Sequence, residues 1–482
     1  MARFVMGIDA GTTGVRALLF DEAGLAVATA YREIISRYPR PQWMEQDPSE
    51  VWTSTREVMA DALAAACTRP SEVAAIGITN QRSSIVAWDG PSGRPLSQML
   101  IWQDTRTAER CRELQGQGFF ITPMMAASKA EWIVRNIPEA RAAEAAGRLR
   151  LGTPNAFLAA CLCGDINVSD HGNASPTGLY SYFQNTWDDG PLSALGLDVK
   201  LLPTLVDSSG EIARTSAAAF GAEVPLAGMA GDQQASLFGL GCVELSQAKC
   251  SYGTSAMITM NSGESVAFGG AGTYPIVAWR YGGRTVLSLE GQVVTAGAAV
   301  QWLRDGLGVV ASAAETSSMA ESVGDSGGVW VVPAFQGLGT PMMQAEAKAT
   351  IGGLSRGSTR AHIVRAMLEG IAERVTDVAD CLAEGVAAPA SLRVDGGASR
   401  NDFLMQAQAD LLGIPVERSM FADGAALGAA RLAGVGIGLW PPETAASFTA
   451  ERIFEPAISA DERASRRVLW KKRLDLVVAD AG

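Results

Sequence analysis

The sequence predicts a mixed α/β protein built as two similar domains. Three observations carry this. The 482 residues exceed the roughly 100–200 that a single domain usually takes. Hydrophobic residues make up 48% and charged ones 19%, with 52 glycines, which suits a globular mixed α/β chain and argues against disorder or coiled coil. A glycine–threonine turn inside a hairpin also occurs in each half, at Gly11-Thr12-Thr13 and at Gly253-Thr254-Ser255.

The elements follow in order. Phe4 to Asp9 is an apolar run ending in a carboxylate, Val15 to Phe20 is a second run, and together they predict a hairpin with a polar tip. Asp21-Glu22-Ala23-Gly24 turns the chain into a third strand, Leu25 to Thr29. From Pro48 to Ala66 the spacing is helical, with Val51, Trp52, Val58, Met59 and Leu63 on one face. Ala74 to Thr79 predicts another buried strand. In the second half, Ala248 to Met260 repeats the strand, turn, strand pattern. Thr359 to Ala383 predicts a long helix, Leu392 to Val394 a strand, Asn401 to Leu412 a helix, and Arg463 to Val478 a closing amphipathic helix. Pro441-Pro442 marks a loop.

Charge and cysteines exclude several classes. Lys plus Arg is 39 against 51 Asp plus Glu, a formal charge of −12, so a nucleic-acid partner is disfavoured. Any phosphate ligand must be held by local devices such as backbone N–H groups, a metal or single basic side chains. The seven cysteines (67, 111, 161, 163, 242, 250 and 381) include no CxxC pair, which predicts reduced thiols and a cytoplasmic protein. Asp9 interrupts the first apolar stretch, so no signal peptide is expected. The Gly/Ala-rich run from Gly424 to Trp440 contains Arg431 and is shorter than the roughly 20 apolar residues of a membrane span. No membrane insertion is expected, and the sequence leaves both homodimer and homotetramer open.

Four segments have residue types suited to chemistry. In Asp9-Ala10-Gly11-Thr12-Thr13, with Arg16 beyond, glycine lets backbone amides approach phosphate oxygens, the hydroxyls can donate, and the carboxylate can hold hydrated Mg²⁺. Gly253-Thr254-Ser255 has the same physics. Arg393 to Asn401 ends a strand in Gly396-Gly397 and begins a helix, a place for a ribose or adenine and for anionic oxygens. Ala230-Gly231-Asp232-Gln233-Gln234-Ala235 sets a carboxylate into small, apolar surroundings, where it either caps the next helix or serves chemistry. Read singly, each is also compatible with an ordinary turn or cap. No GxxxxGK[ST] occurs, nor a GxGxxG after a first strand. The two histidines, His171 in an expected loop and His362 on an expected helix, lack metal-ligand spacing and are expected to be structural or solvent-facing.

Taken in order, GIDAGTT, GITNQR (Gly77 to Arg82), IWQDTRT (Ile101 to Thr107), AGDQQASLFG, YGTS, QWLRD (Gln301 to Asp305), AFQGLGTP (Ala334 to Pro341) and RVDGGASRNDFLMQ resemble the FGGY family of carbohydrate kinases across nearly the whole chain. The wording is most similar to glycerol kinases, particularly ITNQR, GDQQA and the stretch from Arg393 to Gln406. The resemblance implies two actin-like, ribonuclease-H-type domains with an interdomain cleft. Residues 1–240 would form the N-terminal domain, with the substrate side and the first phosphate loop, and 241–482 the C-terminal, nucleotide-binding domain. It implies an ATP-dependent phosphotransferase with an alcohol group as acceptor, using Mg²⁺.

Position by position, Asp232 matches the family's general base and Asp9 its Mg²⁺ carboxylate. Gly11, Thr12, Thr13, Arg16, Gly253 and Thr254 fall on the phosphate side, and Gly297, Gln301, Gly397 and Asn401 on the nucleotide. Arg82, Trp102 and Gln233 match the acceptor side. Three acceptor positions depart together: where glycerol kinases place a glutamate, a tyrosine and a phenylalanine, this chain has Ser83, Met124 and Met257. Losing a charged acceptor costs on the order of 1.5–3 kcal/mol if nothing replaces it, and methionines reshape easily. The expected substrate is therefore glycerol or a related small polyol or sugar. The alternative is a ketopentose (xylulose or ribulose), a tetritol or an aldonate such as gluconate. An actin-like or heat-shock-chaperone-like ATPase, or a silent sugar sensor, is the remote alternative.

Overall fold

The computed structural model describes residues 3–481. The chain divides into two compact units. The first takes residues 1–239, 276–286 and 425–446, and the second takes 240–275, 287–424 and 447–482.

In the first unit, six strands form one sheet: β1 (Phe4–Ala10), β2 (Gly14–Phe20), β3 (Ala26–Glu33), β4 (Val73–Asn80), β5 (Ser209–Arg214) and β6 (Pro225–Gly231), in the order β5-β6-β4-β1-β2-β3. The hairpin β1–β2 and strand β3 are antiparallel, β4 runs parallel to β1, β6 runs parallel to β4, and β5 closes the edge antiparallel. Strands β1 and β4 read as almost unbroken apolar runs because both faces of the sheet centre are covered. One cover is the expected helix, Pro48–Ala65, capped by the Asp47 carboxylate, which accepts from Ser49 N at 2.9 Å. Its Val51, Val58, Met59 and Leu63 are buried as the spacing predicts, while Trp52 is half-buried. Strand β3 continues to Glu33, past the expected Thr29, because its register with β2 is kept to Gly14↔Glu33.

The opposite cover comes from the far end of the sequence. The helix Gly424–Gly436 belongs to this unit and crosses β1, β4 and β6 over a row of glycines. Gly7 pairs in register with Gly77, and Gly77 with Gly228. A Cβ at Gly7 would overlap Ala426 O, and one at Gly77 would overlap Ala429 O. At Gly228 it would stand 2.7 Å from Ala433 N. Only a side-chain-free row admits a helix backbone this close. Hydrogen bonds fix its position: Ser209 Oγ donates to Leu432 O (2.7 Å), Arg431 Nη1 to Gly239 O (2.7 Å) and Trp440 Nε1 to Glu22 O (2.9 Å).

The second unit repeats the plan. The second sheet has the strands β7 (Ala248–Tyr252), β8 (Ala256–Gly263), β9 (Tyr274–Tyr281), β10 (Arg284–Val293), β11 (Leu392–Asp395), β12 (Val416–Ser419) and β13 (Ala450–Phe454), ordered β9-β10-β8-β7-β11-β12-β13, with residues 276–286 of β9 and β10 counted in the first unit. From β10 to β13 the senses are antiparallel, antiparallel, parallel, parallel, antiparallel. That matches β3 to β5 of the first sheet strand for strand. Each glycine–threonine turn joins the two central antiparallel strands of its own sheet, so the echo between them is positional. The expected helices run Arg360–Ala383, Asp402–Leu412 and Ala460–Asp480.

Two local expectations change. The Pro441-Pro442 loop winds into a short 3₁₀ turn, Pro442–Ala446. His171 opens the short helix His171–Ala174 and is buried, with Nδ1 2.9 Å from the Tyr180 hydroxyl and Nε2 3.2 Å from Arg280 Nη1. Burial, then the Arg280 charge, lower its pKa to about 4, so it packs neutral and structural. Among the described residues no helix is long and apolar enough to cross a membrane.

The glycine row gives a direct test. Gly77→Val drives a branched side chain into the Ala429 carbonyl and is expected to lose about 3 kcal/mol or more. Gly116→Ala, with nothing within 4 Å of the new methyl, is expected to leave stability unchanged or slightly raised. Thermal unfolding followed by circular dichroism separates the two.

Candidate active site

The parallel strands β1, β4 and β6 end level with one another. Asp9 is opposite Thr79, Ala10 opposite Asn80, and Gly231 opposite Asn80. The residues that follow each strand therefore collect along one sheet edge: Gly11-Thr12-Thr13 after β1, Gln81-Arg82-Ser83 after β4, and Asp232 after β6.

Asp232 opens the helix Asp232–Gly239 with no intervening loop. Its carboxylate is about a third exposed. Oδ1 accepts from Gln233 N at 2.8 Å and lies 3.3 Å from Arg82 Nε. Gly231 is required here, since a Cβ would stand 2.6 Å from the Arg82 side chain. The carboxylate thus meets one guanidinium, at the positive end of a helix.

The turn after β1 is held from below by two buried amides. Gln46 Nε2 donates to Thr12 O (2.6 Å), and Gln81 Nε2 donates to Gln46 Oε1 (2.8 Å). Gln81 Oε1 accepts from Ser84 Oγ (3.0 Å) and Thr12 Oγ1 (3.4 Å). The Thr12 hydroxyl also accepts from the Trp102 indole (3.0 Å), and Trp102 N donates to Ser84 Oγ (3.1 Å). Thr12 is thereby tied to Trp102, while Thr13 is exposed at the tip. Arg16 faces Asp9 across the hairpin and lies over the Tyr31 ring at 5.1 Å.

Ser83 adopts φ +60°, unusual for a residue with a side chain, and its hydroxyl donates to Pro176 O at 3.1 Å. Met124 is exposed. Of the expected acceptor-side residues, the structure brings Arg82, Ser83, Trp102, Asp232 and Gln233 onto this strand-end edge and its loops. Met124 precedes the helix Ala126–Asn136 in the same unit.

In the second unit, Gly253 and Thr254 form the turn between β7 and β8. Gly297 opens the helix Gly297–Asp305 and donates to Gly253 O (3.0 Å), while Ala296 N and Ala298 N donate to Thr254 O at 3.0 and 3.1 Å. A side chain on Gly297 would stand 2.5 Å from Gly253 O. Gln301 lies exposed one turn along that helix. Tyr252, fully buried, anchors the turn through Gln408 Oε1 at 2.8 Å.

Gly396 takes φ +88° against Tyr252, leaving Gly397 exposed at the end of β11. Asn401 caps the helix Asp402–Leu412, Oδ1 accepting from Leu404 N (2.9 Å) and Nδ2 donating to Thr316 Oγ1 (2.8 Å). Met257 sits on β8, its sulfur 3.8 Å from the Tyr274 hydroxyl. Gly253, Thr254 and Gly297 are in contact; Gly397 lies at the next strand end, and Gln301 and Met257 stand further along their elements.

This edge architecture agrees with the comparisons to known proteins. Residues 4–239 match the N-terminal domain model of the FGGY family of carbohydrate kinases, and residues 248–437 match its C-terminal domain model. The chain belongs to the FGGY family of carbohydrate kinases. It is 42% identical to the glycerol kinase of Petrotoga mobilis over 98% of both chains. Among solved structures it resembles the Plasmodium falciparum glycerol kinase with ADP (TM-score 0.91, 26% identity, 98% of both chains) and a Brucella ovis xylulose kinase (TM-score 0.86, 27%, 99% of both). This FGGY kinase is an ATP-dependent phosphotransferase with two α/β domains of the actin-like type.

Sequence reasoning missed Gln46, Gln81, Ser84 and Lys129. Gln81 stood inside GITNQR. Lys129 could have been found as the one cation among Ala126, Ala127, Ser128 and Ala130, which are buried small residues.

Gln81→Leu would leave Gln46 and Ser84 short of partners in a buried network, at about 1–3 kcal/mol. A lowered thermal midpoint relative to the parent kinase checks this.

Proposed function

We propose that this kinase transfers the γ-phosphate of ATP to a hydroxyl of glycerol or a related small polyol, with Asp232 as general base. The observation that carries the assignment is the position of the Asp232 carboxylate, at a strand end in line with Asp9 and the Gly11–Thr13 turn. Phosphoryl transfer needs alignment, charge neutralisation and one carboxylate to orient the attacking hydroxyl. Asp232 accepts that proton. Arg82, 3.3 Å away, holds the carboxylate in place and donates to the acceptor's other oxygens. Trp102 provides an apolar wall whose angle is set by the Thr12 hydroxyl.

The Gly11–Thr13 turn receives the transferring phosphate through the Thr12 and Thr13 amides and the Thr13 hydroxyl, since Gly11 N already donates to Gly14 O (3.0 Å), with Arg16 behind the turn. The second unit's Gly253, Thr254, Gly297, Gln301, Gly397 and Asn401 receive the nucleotide. In this reading residues 1–240 serve the acceptor and 241–482 the nucleotide, and the protein works in the cytoplasm.

Mg²⁺ fits the donor set. Asp9 is a single carboxylate next to the turn, and among the described residues no cluster of three or more His, Cys, Asp or Glu is placed to hold a metal. That is the arrangement expected of a cation held largely by water and phosphate oxygens. Bound there, Mg²⁺ would neutralise phosphate charge.

The relatives named glycerol kinase support a three-carbon polyol. Ser83 supports a second, longer acceptor: a hydroxyl turned onto Pro176 O adds no further carboxylate beside the Arg82–Asp232 pair and takes less space than a glutamate.

Asp232→Asn keeps the shape and removes the base. Phosphorylation is expected to fall at least about 10²-fold, in line with loss of general-base catalysis, while ATP binding by calorimetry stays within twofold. Turnover at the parent rate would refute the assigned role.

A further inference from the structure

The Ala126–Asn136 helix carries a buried cation that the reaction as described does not use. Lys129 is fully buried. Its Nζ donates to three backbone carbonyls from three separate segments: Ile101 O at 2.9 Å, Met124 O at 3.2 Å and Ser83 O at 3.4 Å. Ser83 and Met124 are themselves acceptor-side residues, and Ile101 directly precedes Trp102. One atom therefore gathers the three loops that carry Arg82 and Ser83, Trp102, and Met124.

Only an ammonium places three donors on a single atom at the end of a flexible stem. The neighbouring charges are already engaged with each other. Asp104 receives Arg106 in a fork at 2.9 and 2.7 Å and accepts from Met44 N at 2.6 Å. The Arg106 guanidinium packs on both the Trp43 and Trp132 rings, at 3.7 and 4.6 Å, in the corner where the two rings meet edge to face. Lys129 makes no ion pair at hydrogen-bond distance among the described residues, so its direct partners are the three carbonyls, with the Asp104 charge favouring the ammonium from further off.

Burying a cation on dipoles is costly, and burial lowers its pKa to about 7. An apolar side chain of the same length would fill the space without that cost. What it would lack is a hold on the loops. Ser83 shows the effect: its φ of +60° costs on the order of 1–3 kcal/mol for a residue with a side chain, and it is held by Lys129 on its carbonyl and Pro176 on its hydroxyl.

We propose that Lys129 is a positioning residue for the acceptor site, fixing the Arg82–Ser83, Trp102 and Met124 loops at their working separation through one three-way hydrogen-bonded ammonium. This rests on the acceptor reading above. Its effect falls on acceptor affinity first, because its three carbonyls adjoin Arg82, Trp102 and the Met124 segment, and the phosphate turn is reached only through the Trp102 indole on the Thr12 hydroxyl (3.0 Å).

The test compares Lys129→Met, which keeps length and loses all donors, with Lys129→Gln, which keeps two. Both are assayed as the full chain by ADP release with glycerol and other small polyols. The expected acceptor KM rises tenfold or more in the Met variant and less in the Gln variant, with KM for ATP within twofold of the parent in both. If the Met variant does not fold, the Gln variant decides, with a threefold or larger rise in acceptor KM at constant ATP KM as the expected result. An unmoved acceptor KM, equal shifts in both KM values, equal effects of Met and Gln, or failure of both to fold would overturn the proposal. A parent protein without acceptor-dependent ADP release would overturn the function itself, which is a distinct result.

Discussion

The register of three parallel strands is the constraint on which the proposed acceptor side depends. Gly7, Gly77 and Gly228 form one row across β1, β4 and β6, and two to five residues further on the same strands and their ends deliver Asp9, Arg82 and Asp232. A slip of one residue on any strand would turn its glycine away from the Gly424–Gly436 helix and its functional residue away from the edge. Packing and chemistry are thus written into the same register. The helix that enforces it comes from near the end of the chain, so the edge is complete only when almost the whole sequence has folded.

Above the sheet, the loops are fixed by buried polar groups rather than by apolar packing. Gln46 and Gln81 support the Thr12 turn, Asn80 donates to Asn173 Oδ1 at 3.0 Å, and Gln234 donates to Gly172 O at 2.9 Å. Such networks are costly when incomplete and directional when satisfied. They suit a site whose side chains must meet a phosphate and a hydroxyl at fixed separation. The second unit reaches the same end by other means: helix N–H groups donating to Gly253 and Thr254, and Tyr252 tied to Gln408.

Much of this was legible in the sequence. The hairpins, the Pro48 helix and the Arg360 helix follow from periodicity, and the family follows from eight short blocks in order. The glycine row was not legible, because Gly7, Gly77 and Gly228 are separated by 70 and 151 residues and only strand pairing puts them side by side. The Gly/Ala-rich run from Gly424 reads locally only as a candidate span too short for a membrane, since nothing in it shows which sheet it covers. Lys129 escaped for a related reason: a lysine on a helix reads as solvated until its partners, 46 and 28 residues upstream, are known.

The most direct measurement of the central claim is ADP release by the purified protein with Mg-ATP, across glycerol, longer polyols, ketoses and sugar acids, each compared with no acceptor. Turnover is expected to depend on a small polyol, with glycerol or a close relative giving the highest kcat/KM. ATP hydrolysis that no polyol, ketose or sugar acid changes would contradict it.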